Sequence, residues 1–201
     1  LSTVTGIELL KGSFNTFLNA MTFPDKTMYP VSSKNEKDLE ILMDIYLDAV
    51  FNPNLKNNPN ILAQEGWHYH LEDKRDDLIY KGVVYNEMKG AYSSVDEVLD
   101  QYVTEHLFSD TSYKYSYGGK PEAIPSITQE EFLSIYDYNY HPSNSYIVLY
   151  GDINVEQYLN RIDSYLNNYD YRDYSSYKLS RQNTFTNEIK RHEYFNEDVK
   201  D

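Results

Sequence analysis

Segments with helical periodicity alternate along this chain with short strand-forming segments joined by tight turns. Over residues 34–51, apolar side chains recur at steps of three and four, which predicts an amphipathic helix. Before it, two β-prone segments, 16–22 and 27–31, are joined by a turn containing proline and aspartate. This alternation predicts an α/β (α+β) two-layer sandwich, with a largely antiparallel sheet and helices packed on one face.

The other elements are predicted from the same periodicities and from capping signals. Predicted strands lie at 67–71, 78–80 and 146–150, predicted helices at 82–91, 94–108, 128–140 and 154–166, and helical turns at 7–11 and 61–65. Ser94 with Glu97 has the spacing of a capping box, and Asn154 is placed to cap the last helix. A Tyr/Ser/Gly-rich loop spans 109–126, and loops of that length are often functional.

In two of these helices, the pattern of apolar residues predicts which face is buried. The apolar stripes expected to be buried comprise Leu39, Leu42, Tyr46 and Ala49 in the first helix, and Val155, Leu159, Ile162 and Leu166 in the last. An acidic row, Glu36, Glu40, Asp44 and Asp48, lies on another face of the first helix. Such a row predicts solvated surface.

The length of 201 residues suits one domain, predicted at 1–166, followed by a trailing segment at 167–201. Within that segment the composition shifts to Tyr, Asp, Ser and Arg, which is typical of a linker, and 185–195 is predicted as a strand at the start of a following domain.

Charge and composition exclude several classes of function. The formal net charge of −14 repels phosphate backbones, so nucleic acid is not expected as a partner. An acidic surface suits a basic peptide, or it serves solubility alone. No apolar run is long enough to cross a membrane, and the absence of cysteine excludes disulfides and thiolate chemistry.

Residue patterns for catalysis are missing from the chain. None of the five histidines belongs to a His-Glu-x-x-His or His-x-x-Glu-His motif, and no Gly-x-Ser-x-Gly elbow is present. His68 and His70 are two apart on a predicted strand, so both face the same side. That spacing can chelate a metal, although it also fits two ring side chains on a sheet face beside Trp67.

A series of segments nevertheless resembles the insulinase/pitrilysin-type zinc metallopeptidases of the presequence-protease branch. The matching segments, in family order, are 8–22, 23–30, 44–51, 64–68, 80–90, 116–119 with 124–125, and 140–144. The most informative is Asn86-Glu87-Met88-Lys89-Gly90 within 80–90, which is similar to the segment of the family's distal zinc ligand. The resemblance implies a metallopeptidase half-domain that is incomplete at its N-terminus.

The resemblance also implies site residues and a cofactor. In that family zinc is held by two histidines of His-x-x-Glu-His and by a downstream glutamate, here matched by Glu87. The motif is expected upstream of residue 8, but 1–7 do not contain it. We therefore expect no catalytic residue in this chain, zinc only in the intact parent protein, and no zinc bound tightly by the chain alone.

The segment expected to bind substrate resembles the family's substrate-binding edge strand and comprises Leu18, Asn19, Ala20 and Met21. An extended peptide would pair with its backbone, and the strand and Glu87 would face one cleft. Expected partners are peptide substrates, the missing N-terminal segment and the C-terminal half of the parent, and a second copy by self-association. The expected compartment is the bacterial cytoplasm, with an organelle left open.

Three functional hypotheses remain at this stage. The first is a fragment of a zinc metalloendopeptidase that is inactive alone. The second is a non-catalytic peptide-binding or partner subunit of the same fold, and the third is an unrelated acidic scaffold. The setting of Glu87 favours the first, because a non-catalytic subunit need not keep the distal glutamate.

Overall fold

The computed structural model describes residues 14–185, 190, 191 and 193, which fall into two compact units. The first unit contains the described residues up to 21, together with 27–59 and 129–177. The second contains 22–26, 60–128 and the described residues from 178 onward. The helical turn predicted at 7–11, and most of the strand predicted at 185–195, lie outside the described residues.

Five longer helices and six short strands make up the described secondary structure. The helices are α1 Glu36–Phe51, α2 Val83–Ala91, α3 Val95–Leu107, α4 Gln129–Asn139 and α5 Val155–Leu166. The strands are β1 Asn15–Leu18, β2 Met21–Thr22, β3 Thr27–Met28, β4 Val31–Ser33, β5 His68–His70 and β6 Ile79–Lys81. Shorter helical turns lie at Leu62–Gly66, Ser112–Lys114, Ile124–Ser126 and Pro142–Asn144.

The strands form three two-stranded sheets, β1 with β4, β2 with β3, and β5 with β6. The pairings β1–β4 and β5–β6 are antiparallel. This confirms the mixed α/β class with antiparallel strands that the sequence predicts. The strand predicted at 16–22 is interrupted between β1 and β2, because Ala20 donates its backbone N–H to the side chain of Asn19 over 2.9 Å.

The core of the first unit lies between α1 and α5. Leu42, Tyr46 and Leu47 of α1 are buried, as are Tyr158 and Ile162 of α5. The apolar stripe predicted for α1 is therefore placed correctly.

The stripe predicted for α5 is wrong at two of its positions. Val155 and Leu159 are 55% and 54% exposed, because the helix turns Tyr158 inward instead. The predicted cap is confirmed, since the Asn154 side chain accepts a hydrogen bond from the backbone N–H of Gln157 over 3.3 Å.

An arginine of α5 crosses to the acidic row of α1. Arg161 contacts Glu40 at 2.9 Å and Asp44 at 2.5 Å, so one guanidinium bridges two carboxylates that are one helical turn apart. Gln157 also donates to Glu40. The centre of the acidic row therefore makes polar contacts between α1 and α5, whereas the sequence predicts that the whole row is solvated surface.

The carboxyl end of α1 is capped by tyrosine hydroxyls. Tyr136 donates to the carbonyl of Val50 over 2.7 Å, and Tyr169 donates to the carbonyl of Phe51 over 3.0 Å. These carbonyls belong to the last helical turn, which has no partners within its own helix. The tyrosines thereby join α4 and the segment after α5 to the end of α1.

Residues after α5 continue to pack on the first unit. Arg172 donates to the carbonyl of Asp137 over 2.8 Å, and Tyr174 donates to that of Tyr138 over 2.5 Å. The start of the predicted linker is thus attached to α4, while the domain boundary at 166 stays a prediction.

Two local predictions differ from the structure. Ser94 precedes α3 but makes no capping hydrogen bond with its side chain. Residues 146–150, predicted as a strand, are not paired with another described segment. Within the described residues, no helix combines the length and apolarity needed to cross a bilayer.

Candidate functional site

Helix α2 carries Glu87, the predicted metal ligand, within the second unit. The helix begins directly after β6, and the carbonyl of Gly82 accepts the backbone N–H of Asn86 over 2.9 Å. The Glu87 side chain is exposed and makes no hydrogen bond or ion pair with any residue that the structure describes. Its carboxylate is therefore available to a ligand.

The start of α2 is fixed by a close approach of two backbone segments. A Cβ atom built on Gly82 would lie 2.1 Å from the carbonyl oxygen of Gly66 and 2.7 Å from the Cα of Trp67. Only a glycine fits this contact, because any Cβ would overlap backbone atoms. The contact sets the position of the first turn of α2, and with it that of Glu87.

The predicted functional loop packs against the same helix. Gly118 approaches the side chain of Met88 so closely that a Cβ atom there would lie 2.1 Å from its sulfur. The adjacent Gly119 has a φ of +84°, which favours glycine. The contact of Gly118 with α2 is not indicated by the sequence, because it depends on a partner distant along the chain.

Polar contacts from α3 and the hairpin turn hold the rest of the 109–126 loop. Lys120 contacts Glu105 at 2.5 Å, and Gln101 donates to the carbonyl of Lys114 over 2.9 Å. Partial burial alone would raise the pKa of Glu105, but hydrogen bonds from Lys120 and Gln101 lower it. Tyr113 donates to Asp25 over 2.9 Å, and this hydrogen bond lowers the pKa of Asp25.

The two histidines of β5 lie half-buried on one face of the hairpin, as predicted. His68 donates from Nδ1 to the carbonyl of Ala63 over 2.6 Å, whereas His70 contacts Glu72 at 2.7 Å. Lys81 also contacts Glu72, at 3.1 Å, which places a cation where a metal would need a free carboxylate. These contacts favour a structural role for both histidines.

Aromatic rings cover the other side of this hairpin. The rings in edge or tilted contact are those of Trp67, Tyr69, Tyr80 and Tyr85. Trp67 also donates from its indole nitrogen to the carbonyl of Ile127 over 3.0 Å. The sequence predicts Trp67 beside the two histidines but does not indicate the cluster, because the β5–β6 register places Tyr69 opposite Tyr80.

The predicted substrate-binding residues lie in the first unit. Leu18 ends β1 and Met21 begins β2, while Asn19 and Ala20 form the interruption between them. The backbone of Asn19 is already engaged, since its N–H donates to the carbonyl of Pro30 over 3.1 Å and its carbonyl accepts Tyr46 Oη at 3.3 Å. Glu87 belongs to the other unit, so the cleft shared with these residues stays a prediction.

No group of three or more His, Cys, Asp or Glu side chains that could hold a metal ion occurs among the described residues. A catalytic zinc requires three protein ligands and an open position. The described residues therefore contain no complete set of zinc ligands.

Comparison with known proteins gives one matching family model and several relatives. The model is described as the Peptidase M16 inactive domain and matches residues 126–199. Protein HypA of Clostridium perfringens is 54% identical over 180 residues, which are 89% of this chain and 18% of that protein.

Two further relatives carry the name presequence protease. The chloroplastic/mitochondrial presequence protease 1 of Arabidopsis thaliana is 48% identical over 160 residues, 80% of this chain and 15% of that protein. The mitochondrial presequence protease of Danio rerio is 42% identical over 159 residues, 78% of this chain and 15% of that protein. The chain thus spans less than a fifth of the length of these relatives.

Proposed function

Because this chain belongs to the insulinase-type (M16) peptidase family, we propose that it is part of a zinc-dependent metalloendopeptidase that degrades unstructured peptides. The observation that carries the proposal is the free, exposed carboxylate of Glu87 on a helix fixed by the contact of Gly66 with Gly82. A helix held at its first turn fixes the backbone from which that carboxylate projects.

This chain would supply one protein ligand to a zinc ion. Glu87 would donate a carboxylate oxygen, and the remaining ligands would come from a His-x-x-Glu-His motif elsewhere in a longer polypeptide. Bound zinc of this kind lowers the pKa of its water and polarises the scissile carbonyl. The residues of this chain would position that ligand and the substrate, and the chain alone would be inactive.

The substrate would be an extended peptide paired with residues 18–21. Ala20 donates its N–H to the side chain of its neighbour Asn19, and such a local bond is readily exchanged for a peptide carbonyl. The neighbouring groups of Asn19 are held by Pro30 and Tyr46, so the backbone around the exchangeable bond stays in place. Recognition through main-chain bonds depends on an extended shape more than on sequence, which suits unstructured peptides.

A second candidate is a non-catalytic peptide-binding or partner subunit of the same fold. The observation in its favour is that the family model matching 126–199 describes an inactive domain. That match does not reach Glu87. For the compartment, relatives named as mitochondrial or chloroplastic stand beside a bacterial one, and we keep the bacterial cytoplasm as the prediction.

The coding sequence upstream of Leu1 separates the two candidates first. A His-x-x-Glu-His motif in that sequence would support the peptidase, and a longer polypeptide without any such motif would support the non-catalytic subunit.

Glu87→Gln then tests the assigned residue in the longer polypeptide. We expect it to lower zinc content and to reduce peptide hydrolysis by more than the roughly 10–100-fold that loss of a ligand's hydrogen-bond partner costs. Glu156→Gln, which changes another exposed helix glutamate, is the matched control and should leave both unchanged. Equal activity of the two variants would remove Glu87 from the site.

A further inference from the structure

A cavity of about 340 Å3 lies beside the end of α1, within the first unit. Its volume falls in the range of sites that bind small molecules. The apolar part of its wall comprises Phe51, Pro53, Leu55, Tyr136, Tyr140 and Tyr169. The rings of Tyr136 and Tyr140 stack with centroids 4.9 Å apart, and that of Tyr169 packs on Phe51 at 5.9 Å. The cavity therefore offers aromatic surface to a flat apolar group.

The tyrosine hydroxyls of this wall are already engaged. Tyr136 and Tyr169 donate to carbonyls of the last turn of α1, and Tyr140 Oη lies 3.0 Å from Tyr29 Oη. The wall therefore contributes ring surface rather than hydroxyl groups. A ligand in the cavity would find its polar partners among the other lining residues.

A buried histidine of the lining has an unused N–H group. His141 Nδ1 accepts the backbone N–H of Ser143 over 3.2 Å, so the proton of the neutral imidazole is on Nε2. Burial, and then the charge of Arg172, lower the pKa of this imidazole, which favours the neutral form. Nε2 makes no hydrogen bond with a residue that the structure describes. This N–H is therefore available to an acceptor on a ligand.

Positive charge exceeds negative charge in the lining. The charged residues are Lys56, Arg172 and Asp137, two cations and one anion in a chain of net charge −14. Lys56 Nζ lies 2.8 Å from a carboxylate oxygen of Asp137. Arg172 donates one N–H to the backbone carbonyl of Asp137 and forms no ion pair with a described residue. Its other N–H groups are therefore available to an anion.

We propose that this cavity binds a small molecule in which a carboxylate is joined to an aromatic ring by a short linker. The ring would pack on the tyrosine wall, and the carboxylate would accept hydrogen bonds from Arg172, Lys56 and His141 Nε2. A carboxylate suits the lining better than a phosphate, because its single charge balances the excess of one positive charge. The inference rests neither on Glu87 nor on peptidase activity.

Calorimetric titration of the 201-residue chain tests the ligand class. We expect phenylpropanoate to bind roughly tenfold more tightly than phenylpropanamide, which lacks the charge, and than propanoate, which lacks the ring. Phenylpropylamine should bind no better than the amide. No binding of phenylpropanoate, or equal binding of the acid and the amide, would overturn the proposal.

Acetylphenylalanine distinguishes the two sources of such a group. It carries the carboxylate and ring as they occur at the end of a peptide, whereas phenylpropanoate is a free acid. Tighter binding of acetylphenylalanine would support a peptide end as the natural ligand, and tighter binding of phenylpropanoate would support a free acid. Failure of both to bind would overturn the site.

Three variants test the residues of the cavity. Asp137→Asn removes the carboxylate that competes for Lys56, so it should tighten phenylpropanoate binding several-fold. Arg172→Gln should weaken it roughly tenfold. Arg181→Gln removes the same charge from an exposed position in the second unit and should leave binding unchanged. Weaker binding by Asp137→Asn, or equal effects of the two arginine variants, would contradict the assignment.

Nuclear magnetic resonance locates the ligand. Phenylpropanoate should shift the imidazole resonances of His141, which lines the cavity. Those of His106, which belongs to α3 in the second unit, should not move. Equal shifts of the two histidines, or a shift of His106 alone, would place the ligand elsewhere and overturn the proposal.

Discussion

At the scale of single residues, His141 is a buried histidine whose surroundings lower its pKa. The residue is only 5% exposed, and its Nδ1 accepts the backbone N–H of Ser143 over 3.2 Å. Burial, and then the nearby charge of Arg172, lower the pKa of the imidazole. The folded state therefore binds a proton less readily than the unfolded state, whose histidine titrates near pH ~6.5. The contribution of His141 to the free energy of unfolding is therefore fully present above that pH and is lost as the pH falls through it.

His141→Asn separates the charge from the hydrogen bond. Asparagine can accept the same N–H and is a good capping residue, but it does not titrate. We expect the variant to lose much of the decline in urea midpoint between pH 7 and pH 5. The comparison is a set of urea denaturation curves for both proteins across that range. Parallel pH profiles would show that other groups cause the decline.

At the scale of elements, the start of α2 depends on a missing side chain. Gly82→Ala would drive a Cβ into the Gly66 carbonyl, and overlap of this kind costs about 1–3 kcal/mol. Gly90→Ala in the same helix meets nothing within 4 Å and should stabilise by about 0.5–1 kcal/mol. Urea denaturation of the two variants measures both effects. A neutral Gly82→Ala would mean that β5 and α2 are not held by this contact.

The end of α1 depends on hydroxyl groups. Tyr136→Phe and Tyr169→Phe would each leave a helix-terminal carbonyl without its donor, at a cost of about 1 kcal/mol. Tyr138→Phe is the control, because this ring is 53% exposed and its hydroxyl makes no hydrogen bond with a described residue. In thermal melts, the control should have a higher melting temperature than either of the other two variants. Three equal melting temperatures would show that water replaces the tyrosine hydroxyls without loss.

At the scale of the whole molecule, the described residues contain no group of three or more His, Cys, Asp or Glu side chains that could hold a metal ion. We expect the isolated 201-residue protein to hold no stoichiometric zinc after dialysis and to leave unstructured peptides intact with or without added zinc. Elemental analysis and a peptide-cleavage assay check the two statements. One tightly held zinc per chain, or cleavage abolished by Glu87→Gln, would contradict them.

Local signals in the sequence are enough to predict much of this fold. The buried stripe of α1 follows from its own periodicity, and Asn154 caps α5 as its type and position require. The buried face of α5 does not follow in the same way. Whether Tyr158 or Val155 is buried depends on the residues that pack against the helix. The contacts of Arg161 with α1 and of Gly82 with Gly66 are not predicted for the same reason, because each depends on a partner distant in sequence.

The site is predicted differently from the fold. Glu87 cannot be distinguished from other exposed helix glutamates by periodicity or charge, and its assignment depends on the resemblance of the surrounding segment. The structure adds the fixed start of its helix and the free carboxylate. Residues 146–150 are predicted as a strand but form none in the structure, because pairing requires a second segment.

Tyrosine-capped helix ends also make this chain sensitive to alkali. Burial raises the pKa of Tyr136, so the folded state keeps its phenol protonated beyond the pH at which an unfolded tyrosine ionises, near ~10. As the pH rises past that value, the unfolded chain gains phenolate and stability falls. A phenolate could no longer donate to the Val50 carbonyl, so the contact of α4 with the end of α1 would be lost in base. A helix capped by glycine has no such titratable donor and would not change.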